Sequence, residues 1–182
     1  MDRFLAKGFP TNKWEEWKYA SLKSLNDTDW NWNTSEEPKH VGGISLDASL
    51  QLSTYNGKFN VQGPLPAGIE ILTFADFSKQ NPAFISKWEK RNQILDQNPM
   101  YDLNDALTSS HQVIWVKEGT KLAKPIVHQL LADVSIASAI QSKLLIYLEK
   151  DAQLTWVDDL CTHDSSEAIL SNYVQEIWVE EA

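Results

Sequence analysis

One short run, Asp158-Asp159-Leu160-Cys161-Thr162-His163-Asp164, holds the densest set of reactive side chains in this 182-residue chain. If extended, it places Asp159, Cys161 and His163 on one face, because alternate strand residues step by about 6.5–7 Å. Carboxylate, thiolate and imidazole together form a donor set suited to iron or zinc. The plainer reading is a polar turn after the apolar residues 154–157, with Cys161 tucked in as a small hydrophobe. Metal sites usually draw ligands from separate elements whose neighbours orient each donor, and one local run does not supply that.

The other candidates are weaker. Cys161 is the single cysteine, so an intrachain disulfide, a zinc finger and a Cys-x-x-Cys pair are all excluded. His40, His111, His128 and His163 are scattered without metal-ligand spacing. His128 lies between Ile126 and Leu130 in a strand-like run, which suits a hydrogen-bonded, half-buried structural histidine. Asp158 and Asp159 beside Trp156 are the one pair of carboxylates near an aromatic that a carbohydrate-cleaving site would need. Trp30 and Trp32 suit either a stacking platform for sugars or bases, or anchors that pin a polar loop. Neither a Gly-rich phosphate loop, nor G-x-S-x-G, nor H-E-x-x-H occurs.

Charge narrows the partners. Sixteen basic residues against 25 acidic ones leave a net charge of −9, which repels phosphate backbones. The densest basic stretch, Lys87, Lys90 and Arg91, is interrupted by Trp88 and Glu89 and reads as a solvated helix face. Nucleic acid and anionic membrane are therefore set aside. The first ten residues are too short and polar for a secretory core, and no apolar run is long enough to span a bilayer. The expected location is the cytoplasm. Hydrophobic residues at 42% and a length that buries roughly 70% of the unfolded surface allow a core without disulfides or a structural metal.

The elements that must position these residues follow from periodicity. In 14–25, Trp14, Trp17, Ser21, Leu22 and Leu25 fall near helical spacing, with Thr11 or Asn12 as a cap. Residues 26–43 read as a loop. Ile44, Leu46, Ala48, Leu50 and Leu52 alternate as on one strand face, and Asn56-Gly57 signals a tight turn. Residues 69–74 suit a buried strand. Asn81 and Pro82 predict a helix start, with Phe84, Ile85, Trp88 and Leu95 on one face, ending at Asn98-Pro99. A short helix over 103–107 has Asp102 as its cap. Five strand-like runs then follow at 113–116, 126–131, 144–148, 154–157 and 169–179, without helical periodicity between them. Pattern alone leaves sandwich, barrel and solenoid open, with the sandwich the commonest outcome. The strand-like Glu176-Ile177-Trp178-Val179 ends three residues before the last residue, and an uncovered terminal strand is normally capped or paired. A truncated chain is the expectation.

Four segments, in order, resemble the SufB/SufD family of iron–sulfur cluster assembly proteins, nearer the SufD branch. Gly8-Phe9-Pro10-Thr11 with Glu15-Glu16-Trp17-Lys18-Tyr19-Ala20-Ser21-Leu22 is similar to the family's N-terminal F-P-T … E-x-W-K-Y-T-S-L helix. Tyr55-Asn56-Gly57-Lys58-Phe59 is similar to its N-G-x-F turn. Residues 106–126, with Lys124-Pro125-Ile126, resemble its A-L-N … K-P-I stretch, and 144–157 with 172–179 resemble its L-I-x-L-E and N-x-V-x-E-I-x-V runs.

The resemblance implies a mainly β fold: an N-terminal helical and mixed α/β region over 1–110, then the first coils of a right-handed parallel β-helix over 111–182. It implies a non-catalytic scaffold subunit working with a SufB-like subunit and a SufC-like ATPase, whose contact surfaces would lie past residue 182. Any iron–sulfur cluster would be transient cargo of the full complex. No catalytic, cofactor-binding or metal residue is assigned to this portion. The alternatives kept open are a carbohydrate-binding or carbohydrate-active β-solenoid using Asp158, Asp159 and Trp156, and a small metal-binding β protein using Cys161 and His163.

Overall fold

The computed structural model describes residues 1–20, 22–32, 44–95, 98–162 and 167–181, with the side chains of 92–95 and 162 left aside. Three layers make up the described chain: two sheets face to face and a helical cover. In chain order the elements are α1 (Asp2–Lys7), a 3-10 turn at Glu15–Trp17, α2 (Lys23–Asp27), β1 (Leu50–Tyr55), β2 (Lys58–Gln62), β3 (Ile69–Thr73), α3 (Phe74–Gln80), α4 (Pro82–Leu95) and α5 (Pro99–Leu107). Then come β4 (His111–Val116), β5 (Ile126–Ala132), β6 (Ser138–Leu148), β7 (Trp156–Thr162) and β8 (Ile169–Val179). The strand orders are β2-β1-β5-β7 in one sheet and β3-β4-β6-β8 in the other.

This corrects the expected architecture. The fold is mixed α/β with two open, four-stranded mixed sheets, and not the opening of a parallel β-helix or other solenoid. In each sheet the first two strands pair antiparallel, β1 with β2 and β3 with β4, before parallel pairing begins. Helices α3 and α4 then cover the outer face of the second sheet. The β-helix expectation came from the resemblance; the period-two pattern had left it open, because that pattern reports which face of a strand is buried and nothing about which strand lies beside it. Strands β1 and β3, which precede residue 110, pair with β5 and β4, which follow it.

The core between the sheets is aliphatic: Leu50, Leu52, Ile69, Ile114, Val116, Ile126, Leu144, Ile146 and Leu148. A second core on the outer face is aromatic, with Phe77 of α3 and Phe84 of α4 packed on Val113, Trp115, Leu145 and Tyr147. Strand β6 is buried on both faces along its whole length, which is why its sequence shows no alternation.

Local signals played out unevenly. Asn56 and Gly57 form the two-residue turn of the β1–β2 hairpin with φ of 43° and 84°, as a type I′ turn requires. A Cβ at Gly57 would stand 3.0 Å from the Gln141 carbonyl oxygen. The single helix expected over 14–25 is instead a 3-10 turn and the short α2, with Trp14 N–H bonded to Thr11 O at 3.0 Å. Neither element buries a residue, and packing supplies most helix stability in short segments. Strand β1 starts at Leu50, leaving Ile44 and Leu46 exposed ahead of it. Asn98-Pro99 begins α5, with Asn98 Oδ1 accepting from Met100 N at 2.9 Å, so Asp102 is free for a different task. Trp30 does anchor its loop, donating Nε1–H to Leu25 O at 2.9 Å, whereas Trp32 stays exposed.

Candidate functional site

The run 158–162 is the second half of β7 and not a turn. Asp159 and Cys161 do share a face: the Cys161 thiol donates to Asp159 Oδ1 at 3.3 Å. The other carboxylate oxygen accepts the Ile44 backbone N–H at 2.8 Å and Gln129 Nε2 at 3.4 Å. Burial, and after it the hydrogen bond to and charge of Asp159, push the Cys161 thiol above its ordinary pKa. A thiol held protonated is a poor nucleophile and a poor ligand. His163 lies outside the described residues. Among the described residues, no group of three or more His, Cys, Asp and Glu could hold a metal ion. Asp159 instead tethers the chain ahead of β1 to the sheet, with the Cys161 thiol bonded to its other oxygen.

Asp158 points the other way, as strand alternation demands of adjacent residues. It meets His128, its register partner on β5, and Leu52 of β1 lies beside His128 in the same row. The imidazole has no exposed surface. Its Nδ1 is 3.2 Å from Asp158 Oδ1 and its Nε2 is 2.8 Å from Thr54 Oγ1. The carboxylate can only accept, so Nδ1–H donates to Asp158, while Nε2 and the Thr54 hydroxyl share the second hydrogen bond. Asp158 also accepts from Trp156 Nε1 at 2.9 Å and Gln175 Nε2 at 3.0 Å. Burial alone would raise the Asp158 pKa, but the bonds from His128, Trp156 and Gln175, with the charge of the ring, outweigh it and hold the carboxyl below its usual range. Tyr173 of β8 closes the group, its hydroxyl 3.4 Å from His128 Nδ1 and accepting from Gln175 at 2.9 Å. Burial, then the charge of Asp158, push this phenol far above its ordinary pKa.

Hydroxyl, imidazole and carboxylate are linked in the order used to activate a nucleophile. A cavity of about 210 Å³ borders Thr54, Ile140, Ser142 and Ser171. Here, however, the ring is sealed and flanked by Phe59, Trp156 and Tyr173 at centroid distances of 6.0, 5.6 and 5.8 Å. Every polar atom of the relay has a partner inside the sandwich. The arrangement binds β1, β5, β7 and β8 together across the interior, as a structural histidine would. Because Asp158 and Asp159 face opposite sides of β7, they cannot flank one glycosidic bond, which removes the residues that the carbohydrate reading relied on.

A second buried polar group lies on the outer face, and sequence reasoning missed it. Lys143 of β6, almost wholly buried, donates to Tyr101 OH at 2.8 Å and Asp105 Oδ1 at 3.2 Å and lies 3.6 Å from Glu176 Oε1 of β8. Glu176 also accepts from Trp88 Nε1 at 2.6 Å and the Tyr101 hydroxyl at 2.9 Å. The partners are up to 88 residues apart, so no spacing rule could have found them. The one visible signal was a single charge inside each of two strands, Lys143 in β6 and Glu176 in β8.

The two buried polar groups built on His128 and Lys143 thus hold the layers together. The family model for the SufBD protein N-terminal region matches residues 1–128. The chain belongs to the SufBD family. No curated protein matches it. SufBD membership ties the chain to iron–sulfur cluster assembly and to the setting of a Suf complex. The matched stretch takes in the N-terminal Phe9-Pro10-Thr11 motif, the Asn56-Gly57 turn, Thr54 and His128, while Asp158, Tyr173 and Gln175 lie past it. Among the described residues, no helix is long and apolar enough to cross a membrane.

Proposed function

We propose that this SufBD chain serves as a non-catalytic scaffold portion of a SufBCD-type assembly, on the SufD branch, working in the cytoplasm with a SufB-like subunit and a SufC-like ATPase. The observation that carries the reading is the family match over 1–128. The use of the interior groups supports it: in the hydroxyl–imidazole–carboxylate relay among the described residues the imidazole has no exposed surface, and the one cysteine is held as a neutral thiol beside Asp159. In this reading the cluster is cargo of the assembled complex, and the chain shapes and supports the partners that handle it.

The test is co-purification. Tagged protein is co-expressed with SufB-like and SufC-like partners and recovered under reducing, anaerobic conditions. Recovery of both partners is the expected result. A folded protein that captures neither partner ends the scaffold reading.

A further inference from the structure

The helical cover grips the second sheet in two chemically different ways. α3 and α4 hold it by rings: Phe77 meets Trp115 and Tyr147 edge-on at 5.2 and 5.4 Å, and Phe84 meets Trp178 at 5.0 Å. α5 lies on the same outer face, over β6 and β8, and holds it by polar groups. Asn104, which has no exposed surface, donates its side-chain N–H groups to Ser142 O at 2.9 Å and Asn172 O at 2.7 Å. Asn172 replies by donating to Met100 O and to Gln141 Oε1, both at 2.8 Å. Tyr101 and Asp105 take up Lys143, as described above. Leu103 is the one large apolar side chain that α5 buries fully.

α1 sits on α5 by charge. Lys7 Nζ donates to Asp102 Oδ2 at 2.7 Å, and Arg3 Nη2 to Asp105 Oδ2 at 3.4 Å. Arg3 Nε lies 3.2 Å from Asp102 Oδ1, within reach of charge attraction, yet that oxygen has no aligned hydrogen bond. The Asp102 side chain is 1% exposed and faces these two cations.

We propose that α1 and α5 form a releasable strap, which lifts off β6 and β8 as one unit while both sheets and the α3–α4 pair stay folded. Three features carry this. The face it uncovers presents Gln141, Lys143, Asn172 and Glu176, groups that water solvates well, and Lys143 and Glu176 still have each other. The apolar residues that α5 buries are Pro99 and Leu103, with no aromatic ring among them, and apolar exposure is the main cost of opening a packed element. Gln141 Nε2 and Asn104 Oδ1 lack a protein hydrogen bond in the closed seat, so both gain one from water when the strap lifts. Finally, Asp102 couples the helices, because removing α1 alone would strand a buried carboxylate without its cations.

Hydrogen–deuterium exchange of the whole chain, read by mass spectrometry, tests the idea. The amides of 2–7 and 99–107 should exchange together, and about tenfold or more faster than those of 138–148, a gap equal to a tenfold opening constant. Lys7→Ala removes a partner on the solvent side of Asp102 and leaves the sheet contacts alone. It should speed exchange in both helices by a further factor of about ten without moving 138–148, and Lys7→Arg should restore the original rates. Equal protection of α5 and β6 would overturn the proposal. So would a Lys7→Ala effect confined to α1, or one that spreads equally to β6 and so reports global unfolding.

Discussion

Acid should weaken this fold through His111, the first residue of β4. Its ring stacks flat on Phe74 at 4.3 Å with a 6° interplanar angle, and its Nε2 is buried without a hydrogen-bond partner. Burial first, and then the ammonium of Lys143, lower its pKa from 6.5 to about 3, with Asp105 opposing weakly. Between those two values the unfolded chain binds a proton at this site that the folded chain refuses. The stability is therefore complete above the unfolded pKa, and it falls as pH drops from about 6.5 toward 3 by about 1.4 kcal/mol per unit. Taking only the difference between the two states, the loss at pH 5 is about 2 kcal/mol, a large share of a typical domain's stability of about 5–15 kcal/mol.

Urea denaturation followed by Trp fluorescence, repeated from about pH 7.5 to pH 4, measures this directly. His111→Phe keeps the stack on Phe74 and deletes an atom that has no partner. It should stay within about 1 kcal/mol of the parent protein at pH 7.5, and its stability should be nearly flat where the parent's declines. Parallel decline of the two proteins between pH 6.5 and pH 4 would refute the reasoning. A His111 resonance that titrates near its ordinary value in the folded protein would refute it equally well.

Three further substitutions probe the turns and the strand anchor. Gly57→Ala combines a positive φ with a Cβ 3.0 Å from the Gln141 carbonyl oxygen, and should cost about 2–3 kcal/mol in the urea midpoint. Gly63→Ala, at a φ of 86° with open space around it, should cost only the conformational part, about 1 kcal/mol; equal losses at the two sites would show that the close approach is irrelevant. Asp159→Asn removes the charge that helps hold Cys161 protonated, so iodoacetamide should alkylate Cys161 faster at pH 8 than in the parent, and an unchanged rate would count against the assigned role of Asp159.

Several features were legible because they are decided within a few residues. Asn56-Gly57 specified its turn through the tolerance of both residues for positive φ, and β8 runs over the same residues, 169–179, that the apolar pattern marked. The start of α4 at Pro82 was also local, although Asn81 turned out to end α3 as well. α3 itself was missed, and its signal was short: Thr73 Oγ1 accepts from Asp76 N at 3.1 Å, a cap of the Ser/Thr-x-x-acid kind. The polar tail of β7 was misread as a turn because Asp158 and Asp159 disfavour strands unless something satisfies them. His128 does so on one face, and the Ile44 N–H on the other.

By itself, the sequence determined the family through ordered motifs, excluded the phosphate-loop, disulfide and zinc-finger chemistries by residue count, and placed the strands that carry the core. Those properties depend on residue type and near spacing. The tertiary structure alone decided strand partners, sheet number and the fate of every buried charge. Asp158 finds His128 from 30 residues away, and Glu176 finds Trp88 from 88 residues away. Such pairs form because a buried polar atom without a partner is costly wherever that partner lies in the chain. Periodicity records only that a face is buried, so the same strands were compatible with a solenoid until pairing fixed them as two open mixed sheets under a helical cover.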